Sequence, residues 1–147
     1  MRKIRIRIAG VYTEDDRILL VKHRKAGREY YLLPGGGQKP GESQSDALIR
    51  EWKEELSLDV EPGEFLFCGE SVPPRGLLKS QVLQMTYKIN RIRGELAVNT
   101  HGPLAGHAWF TIDELKAVSF FPACLPQLVA YLEGGEVEHY TRYQWLK

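Results

Sequence analysis

Cysteine is scarce. The 147-residue chain has two, Cys68 and Cys124, and neither lies in a C-x-x-C pair. Isolated cysteines supply neither a disulfide framework nor a zinc site, so a reduced, cytoplasmic setting is expected. An excess of either charge is missing too, with 20 basic residues against 19 acidic and a formal net charge of +1. That balance argues against a general nucleic-acid-coating protein and leaves no polybasic membrane tail. No apolar run approaches the roughly 20 residues that span a bilayer. Met1-Arg2-Lys3-Ile4 leads into alternating rather than continuous apolar residues, so no signal peptide is expected. Internal repeats and low-complexity segments are absent. What remains, 43% hydrophobic and 27% charged, is ordinary for a globular chain forming one domain with its own core.

Ile4, Ile6 and Ile8 alternate with Lys3, Arg5 and Arg7, which reads as a half-buried strand. The three basic residues share a face, directed to solvent or a sheet edge, with phosphate as the alternative. Ile18 to Val21 reads as a second strand that forms a hairpin with the first across Glu14-Asp15-Asp16. Lys22 to Arg28 reads as a basic loop. Arg24 and Arg28 there are either solvated or an electropositive rim for phosphates. Further strands are expected over Tyr30 to Leu33, Phe65 to Val72, Lys79 to Ile92 and Ala108 to Phe110. Asp59 and Pro62-Gly63 break the pattern before Phe65. Thr111 with Glu114 is a capping-box pair that starts a short helix over 112–118, and another helix is expected up to Leu132 before Gly134-Gly135. The tail, with Tyr140, Tyr143 and Trp145, packs on its own domain or on a second subunit.

The densest chemistry lies between these elements. Leu33-Pro34-Gly35-Gly36-Gly37 is followed by Gly41-Glu42 and then Arg50-Glu51-Trp52-Lys53-Glu54-Glu55-Leu56. Ser43 and Asp46 suit an N-cap and its partner, which predicts a helix over 44–56. At about 100° per residue, Glu51, Glu54 and Glu55 fall at roughly 0°, 300° and 40°, on one side. Ile49, Trp52 and Leu56 fall near roughly 160°, 100° and 140°, a stripe for burial. Like charges at these spacings cost about 0.2–0.5 kcal/mol per pair, and the helix dipole disfavours anions in the last turns. A solvated face tolerates such a cluster, so the glutamates alone do not define a site.

The spacing of the whole stretch closely resembles the Nudix box, G-x5-E-x7-R-E-U-x-E-E-x-G-U, where U is bulky and apolar. Gly36, Glu42, Arg50, Glu51, Glu54, Glu55 and Leu58 match. Two positions depart: Trp52 replaces an aliphatic residue and Ser57 stands where the last glycine is usual. The resemblance implies an α/β/α sandwich with a mixed β-sheet, and hydrolysis of a nucleoside diphosphate linked to another group. It implies Mg²⁺ or Mn²⁺ held by Glu51, Glu54, Glu55 and the Gly35 carbonyl, since hard cations prefer oxygen ligands. Arg50 and Glu42 would form an orienting pair, and Glu51 is a further ligand or the base near the attacking water. A homodimer is implied by the family alone.

The box leaves the substrate open. Pro74, sixteen residues after Leu58, resembles a marker of ADP-ribose pyrophosphatases, which favours ADP-ribose or a nucleotide-sugar, with a nucleoside triphosphate next. Many such enzymes carry a glutamate in the loop before the penultimate strand, whereas 99–107 here has none. His101 or His107 is the alternative base, and Glu70 and Glu95 are possible outlying ligands. Two other readings differ in class: a Nudix-fold sensor without catalysis, disfavoured because the box charges are all present, and an RNA-end pyrophosphohydrolase, disfavoured by the charge balance.

Overall fold

The computed structural model describes residues 3–145 and sorts the strands into two sheets. Strand β1 (Ile4–Val11) lies between β5 (Gly35–Gly37), antiparallel, and β7 (Gln81–Arg93), parallel. Strands β6 (Asp59–Ser71) and β9 (Tyr140–Tyr143) complete this mixed sheet in the order β5-β1-β7-β6-β9. The second sheet is antiparallel: β3 (Arg17–Lys25) pairs with β2 (Thr13–Glu14), β4 (Arg28–Leu32) and β8 (Leu104–Phe110).

The first two predicted strands therefore do not form a hairpin. Asp15 and Asp16 both take positive φ and close a tight turn between β2 and β3. The chain changes sheets just before that turn, around Tyr12, so β1 goes to one sheet and β3 to the other. The basic stretch is not a loop either. Lys22 to Lys25 extend β3, and only Ala26 and Gly27, both left-handed, make the turn into β4. The break expected at Asp59 and Pro62-Gly63 is absorbed as register shifts within β6, which pairs with β7 from Asp59 onward.

Among the described residues three helices flank the sheets. α1 (Gln44–Leu56) begins at Ser43, whose side chain accepts from the Asp46 N–H while Asp46 accepts from the Ser43 N–H. The same reciprocal pair, Thr111 and Glu114, starts α2 (Ile112–Leu115); α3 (Leu125–Leu132) follows. α1 buries Leu48, Trp52 and Leu56 against Ile8, Val21 and Ile89. Full burial of each such side chain contributes roughly 1.5–3 kcal/mol. Ile49, expected in this stripe, is 39% exposed, and Leu48 takes its place. α2 and α3 bury Leu115 and Leu128 in a second cluster with Ala9, Leu20 and Phe67. The tail packs in cis, with β9 parallel to β6 and Tyr143 buried. Among the described residues no helix is long and apolar enough to cross a membrane.

Candidate active site

The buried stripe of α1 is centred near Trp52, which places Glu55 roughly 60° from it, Glu51 roughly 100° and Glu54 roughly 160°. Exposure follows that order of angles for the outermost residue: the Glu54 side chain is 56% exposed, against 14% for Glu51. Glu55 lies largely buried, and among the described residues its Oε2 has no hydrogen-bond partner. Burial pushes the Glu55 carboxyl up to about 7, reinforced by Glu51 and Glu54 and opposed by the Arg7 charge and a hydrogen bond from the Gly35 backbone.

The glycine loop brings the backbone against these carboxylates. β5 pairs with β1 so closely that a side chain at Gly35 would lie 2.0 Å from the Ile8 carbonyl oxygen. A side chain at Gly36 would lie 2.3 Å from the Glu51 carboxyl carbon. The loop is pinned from both sides, because Pro34 O accepts from the Gly10 N–H and from the Trp52 indole, each at 3.0 Å.

Arg50 gathers the stretch. Its Nε donates to Glu42 Oε2 at 3.0 Å and its Nη2 to Glu42 Oε1 at 2.6 Å. Nη2 also reaches Gly37 O at 2.9 Å, and Nη1 reaches Glu51 Oε1 at 2.7 Å and Glu54 Oε2 at 3.4 Å. This two-pronged pair holds the Glu42 carboxyl at about 2, and Glu42 in turn raises the Arg50 guanidinium. Loop, helix and one oxygen of Glu51 are thereby fixed to one another.

The C-terminal turn of α1 has carbonyls with no partner inside the helix. The segment after β7 supplies them: Ala97 N–H donates to Leu56 O, Asn99 N–H to Glu55 O and Asn99 Nδ2 to Glu54 O, at 3.0, 2.9 and 2.6 Å. Asn99, in the 99–107 stretch that also holds His101 and His107, clamps the glutamate turn. Asparagine is the one signal that could have disclosed this. His101 and His107 are exposed. Glu70 accepts from Gln81 and Tyr140 on the mixed sheet, and Glu95 is exposed.

Of the other predicted site residues, Arg24 pairs with Glu29 at 3.3 Å near the tip of the β3–β4 hairpin. Arg28 opens β4 and is exposed, and Pro74 is exposed in the connection between β6 and β7. Sequence reasoning missed Arg7. Its side chain turns inward, donating to Gln84 Oε1 at 2.9 Å and Leu33 O at 2.6 Å.

Among the described residues, no group of three His, Cys, Asp or Glu side chains is arranged to hold a metal ion as it stands. Arg50 pairs with both Glu51 and Glu54. The donor set nonetheless suits a hard cation, because it offers carboxylates and a buried oxygen lacking any partner.

The NUDIX domain family matches residues 1–130 of this chain. The chain belongs to the Nudix family. A relative from Mycobacterium tuberculosis, named putative 8-oxo-dGTP diphosphatase 2, is 31% identical over 142 residues, covering 92% of this chain and 95% of the relative. A CTP pyrophosphohydrolase from Escherichia coli is 26% identical, covering 85% and 89%. An ADP-ribose pyrophosphatase from Methanocaldococcus jannaschii is 27% identical, covering 78% and 66%. The solved MutT protein of Bacillus halodurans superposes with a TM-score of 0.77 at 21% identity, covering 94% and 88%, which establishes the Nudix fold.

Proposed function

We propose that this Nudix hydrolase cleaves a phosphoanhydride bond of a nucleoside triphosphate in a reaction that depends on Mg²⁺ or Mn²⁺. The observation that carries the metal dependence is Glu55 Oε2, buried without a partner on the helix that follows the glycine loop. An uncompensated buried carboxylate is costly, and a cation offsets that cost.

Glu55, Glu54, Glu51 and the Gly35 carbonyl would hold the metal. When bound, the ion supplies phosphoryl polarisation and a more acidic water. Arg50 secures Oε1 of Glu51, which leaves Oε2 either to join the metal ligands or to accept a proton from the attacking water. Glu42 fixes Arg50, and Arg50 fixes the loop through Gly37 O, so Arg50 and Glu42 are positioning residues.

The triphosphate reading rests on the two relatives that cover most of both chains, whose names both specify nucleoside triphosphates. ADP-ribose is the second reading, favoured by Pro74 and by the archaeal relative. The test is product analysis with nucleoside triphosphates and ADP-ribose, with and without chelator. Chelator-sensitive conversion of a triphosphate to a shorter nucleotide supports the proposal. Conversion of ADP-ribose alone replaces it with the second reading.

A further inference from the structure

The last four carbonyls of a helix have no partner within it. In α1 they belong to Lys53, Glu54, Glu55 and Leu56, so two of them sit on candidate metal ligands. A glycine cap would return the next N–H groups of the chain to these carbonyls. Here Ser57 N–H takes Lys53 O at 3.1 Å, and the chain then leaves through the buried Leu58 into β6. The other three carbonyls are met from the segment after β7. Ala97 N–H takes Leu56 O, and a single residue, Asn99, takes both glutamate carbonyls, with its N–H on Glu55 O and its Nδ2 on Glu54 O.

That segment is itself fixed. Leu96 and Val98 alternate with the two donor residues and pack against the cluster that contains Trp52 and Leu56. Farther along, Leu104 N–H returns to His101 O, and Arg24 N–H of β3 donates to Pro103 O at 2.8 Å. The segment thus runs from β7 of the mixed sheet to β8 of the second sheet, anchored at both ends. Asn99 is exposed, so water could satisfy Glu54 O at small cost. What water would not supply is direction. Helix ends fray, and two bonds from one residue hold the consecutive peptide units that carry Glu54 and Glu55. The other side of the site is tied separately, because Trp52 holds Pro34 O and Arg50 holds Gly37 O, on either side of the Gly35 carbonyl in the loop. Loop and glutamate turn keep one spacing only while both ties hold.

We propose that Asn99 is a positioning residue for the metal site: its two bonds set the spacing of Glu54 and Glu55 from the glycine loop, and hence the affinity for Mg²⁺ or Mn²⁺. This rests on the metal dependence read above and adds the residue that tunes it.

The probe is Mn²⁺ alone, titrated into wild type, Asn99→Ala and Ser57→Ala, with the free ion read by electron paramagnetic resonance. Asn99→Ala should bind Mn²⁺ about 10-fold more weakly, as the loss of a group that orients a ligand does. Its kcat should fall at limiting Mn²⁺ and return toward wild type at saturating Mn²⁺, a split that lost stability alone does not produce. Ser57→Ala keeps both bonds onto the glutamate carbonyls, so it should melt lower yet bind Mn²⁺ as wild type does. Unchanged Mn²⁺ affinity in Asn99→Ala overturns the proposal and leaves the metal reading standing. An equal loss of affinity in Asn99→Ala and Ser57→Ala overturns it too, by making the clamp a matter of stability. Wild type that takes up no Mn²⁺ removes the metal reading and this proposal with it.

Discussion

The Trp52 indole donates to the Pro34 carbonyl at 3.0 Å, joining the middle of α1 to the start of the glycine loop. An aliphatic residue at this box position would pack there without that bond. The departure from the family pattern thus adds a polar tie inside an apolar layer, and Trp52 is wholly buried.

Trp52→Phe is expected to lose about 1 kcal/mol through the missing hydrogen bond, since Pro34 O keeps its bond from Gly10. Trp52→Leu, which restores the aliphatic side chain, should cost more, about 2–4 kcal/mol, by leaving a cavity. Urea unfolding of the three proteins ranks them. Equal midpoints for wild type and Trp52→Phe would show that the indole bond contributes nothing.

Gly36→Ala directs a methyl group at the Glu51 carboxylate, while a Cβ at Gly37 meets nothing within 4 Å. Displacing Glu51 should lower turnover by about 100-fold, with thermal stability changed little. Gly37→Ala should retain far more activity. Steady-state rates that fall equally in the two variants would refute the link between Gly36 and Glu51.

Ser57 holds φ 61°, ψ 24° where the family usually has glycine. A non-glycine residue in this region costs roughly 1–2 kcal/mol. The hydroxyl offsets it by donating to Ala97 O at 2.9 Å and accepting from Asn99 Nδ2 at 3.3 Å. Ser57→Ala keeps the strain and loses both bonds, so it should be less stable by about 1 kcal/mol. Ser57→Gly loses both together and should lie within about 0.5 kcal/mol of wild type. Denaturant titration decides, and an alanine variant as stable as the glycine variant contradicts the account.

Glu55 titrates higher in the fold, at about 7, than its ordinary 4.5. Between those values the folded chain binds the proton more tightly than the unfolded one. The metal-free protein should therefore lose stability as pH rises through this window. Glu55→Gln removes the buried charge at nearly constant size. In chelator at pH 8 it should melt above wild type, the difference closing near pH 4.5, while turnover with Mg²⁺ falls by orders of magnitude. A variant melting below wild type at pH 8 would show that Glu55 stabilises the empty site.

What could be read from the sequence was local. The box spacing, both capping pairs and the extent of α1 depend on residues a few positions apart. Glu42 and Arg50 could be paired because one helix start separates them. The assignment of β1 was not legible, because its partners Gly35–Gly37 and Gln81–Lys88 are distant and alternation is the same in either sheet. For the same reason Arg7 read as a solvent-facing member of a basic row. Only pairing with β7 places Gln84 beside it. Ile49 and Leu48 flank the same stripe, and the sheet beneath, not helical periodicity, chose between them. The clamp from Ala97 and Asn99 joins backbone groups, which composition does not reveal.

The family match ends at residue 130, ten positions before β9 begins. Tyr143 from β9 packs where a side chain at Gly69 would otherwise lie, and its hydroxyl donates to Gln127 Oε1 at 2.8 Å. A long strand with a bare edge invites another chain to pair with it. The final strand therefore acts as a cover against aggregation, shielding the end of β6 with four residues of the chain itself. A chain shortened to the family boundary would keep every box residue and gain a sticky margin, so its solubility, before its chemistry, would reveal the loss.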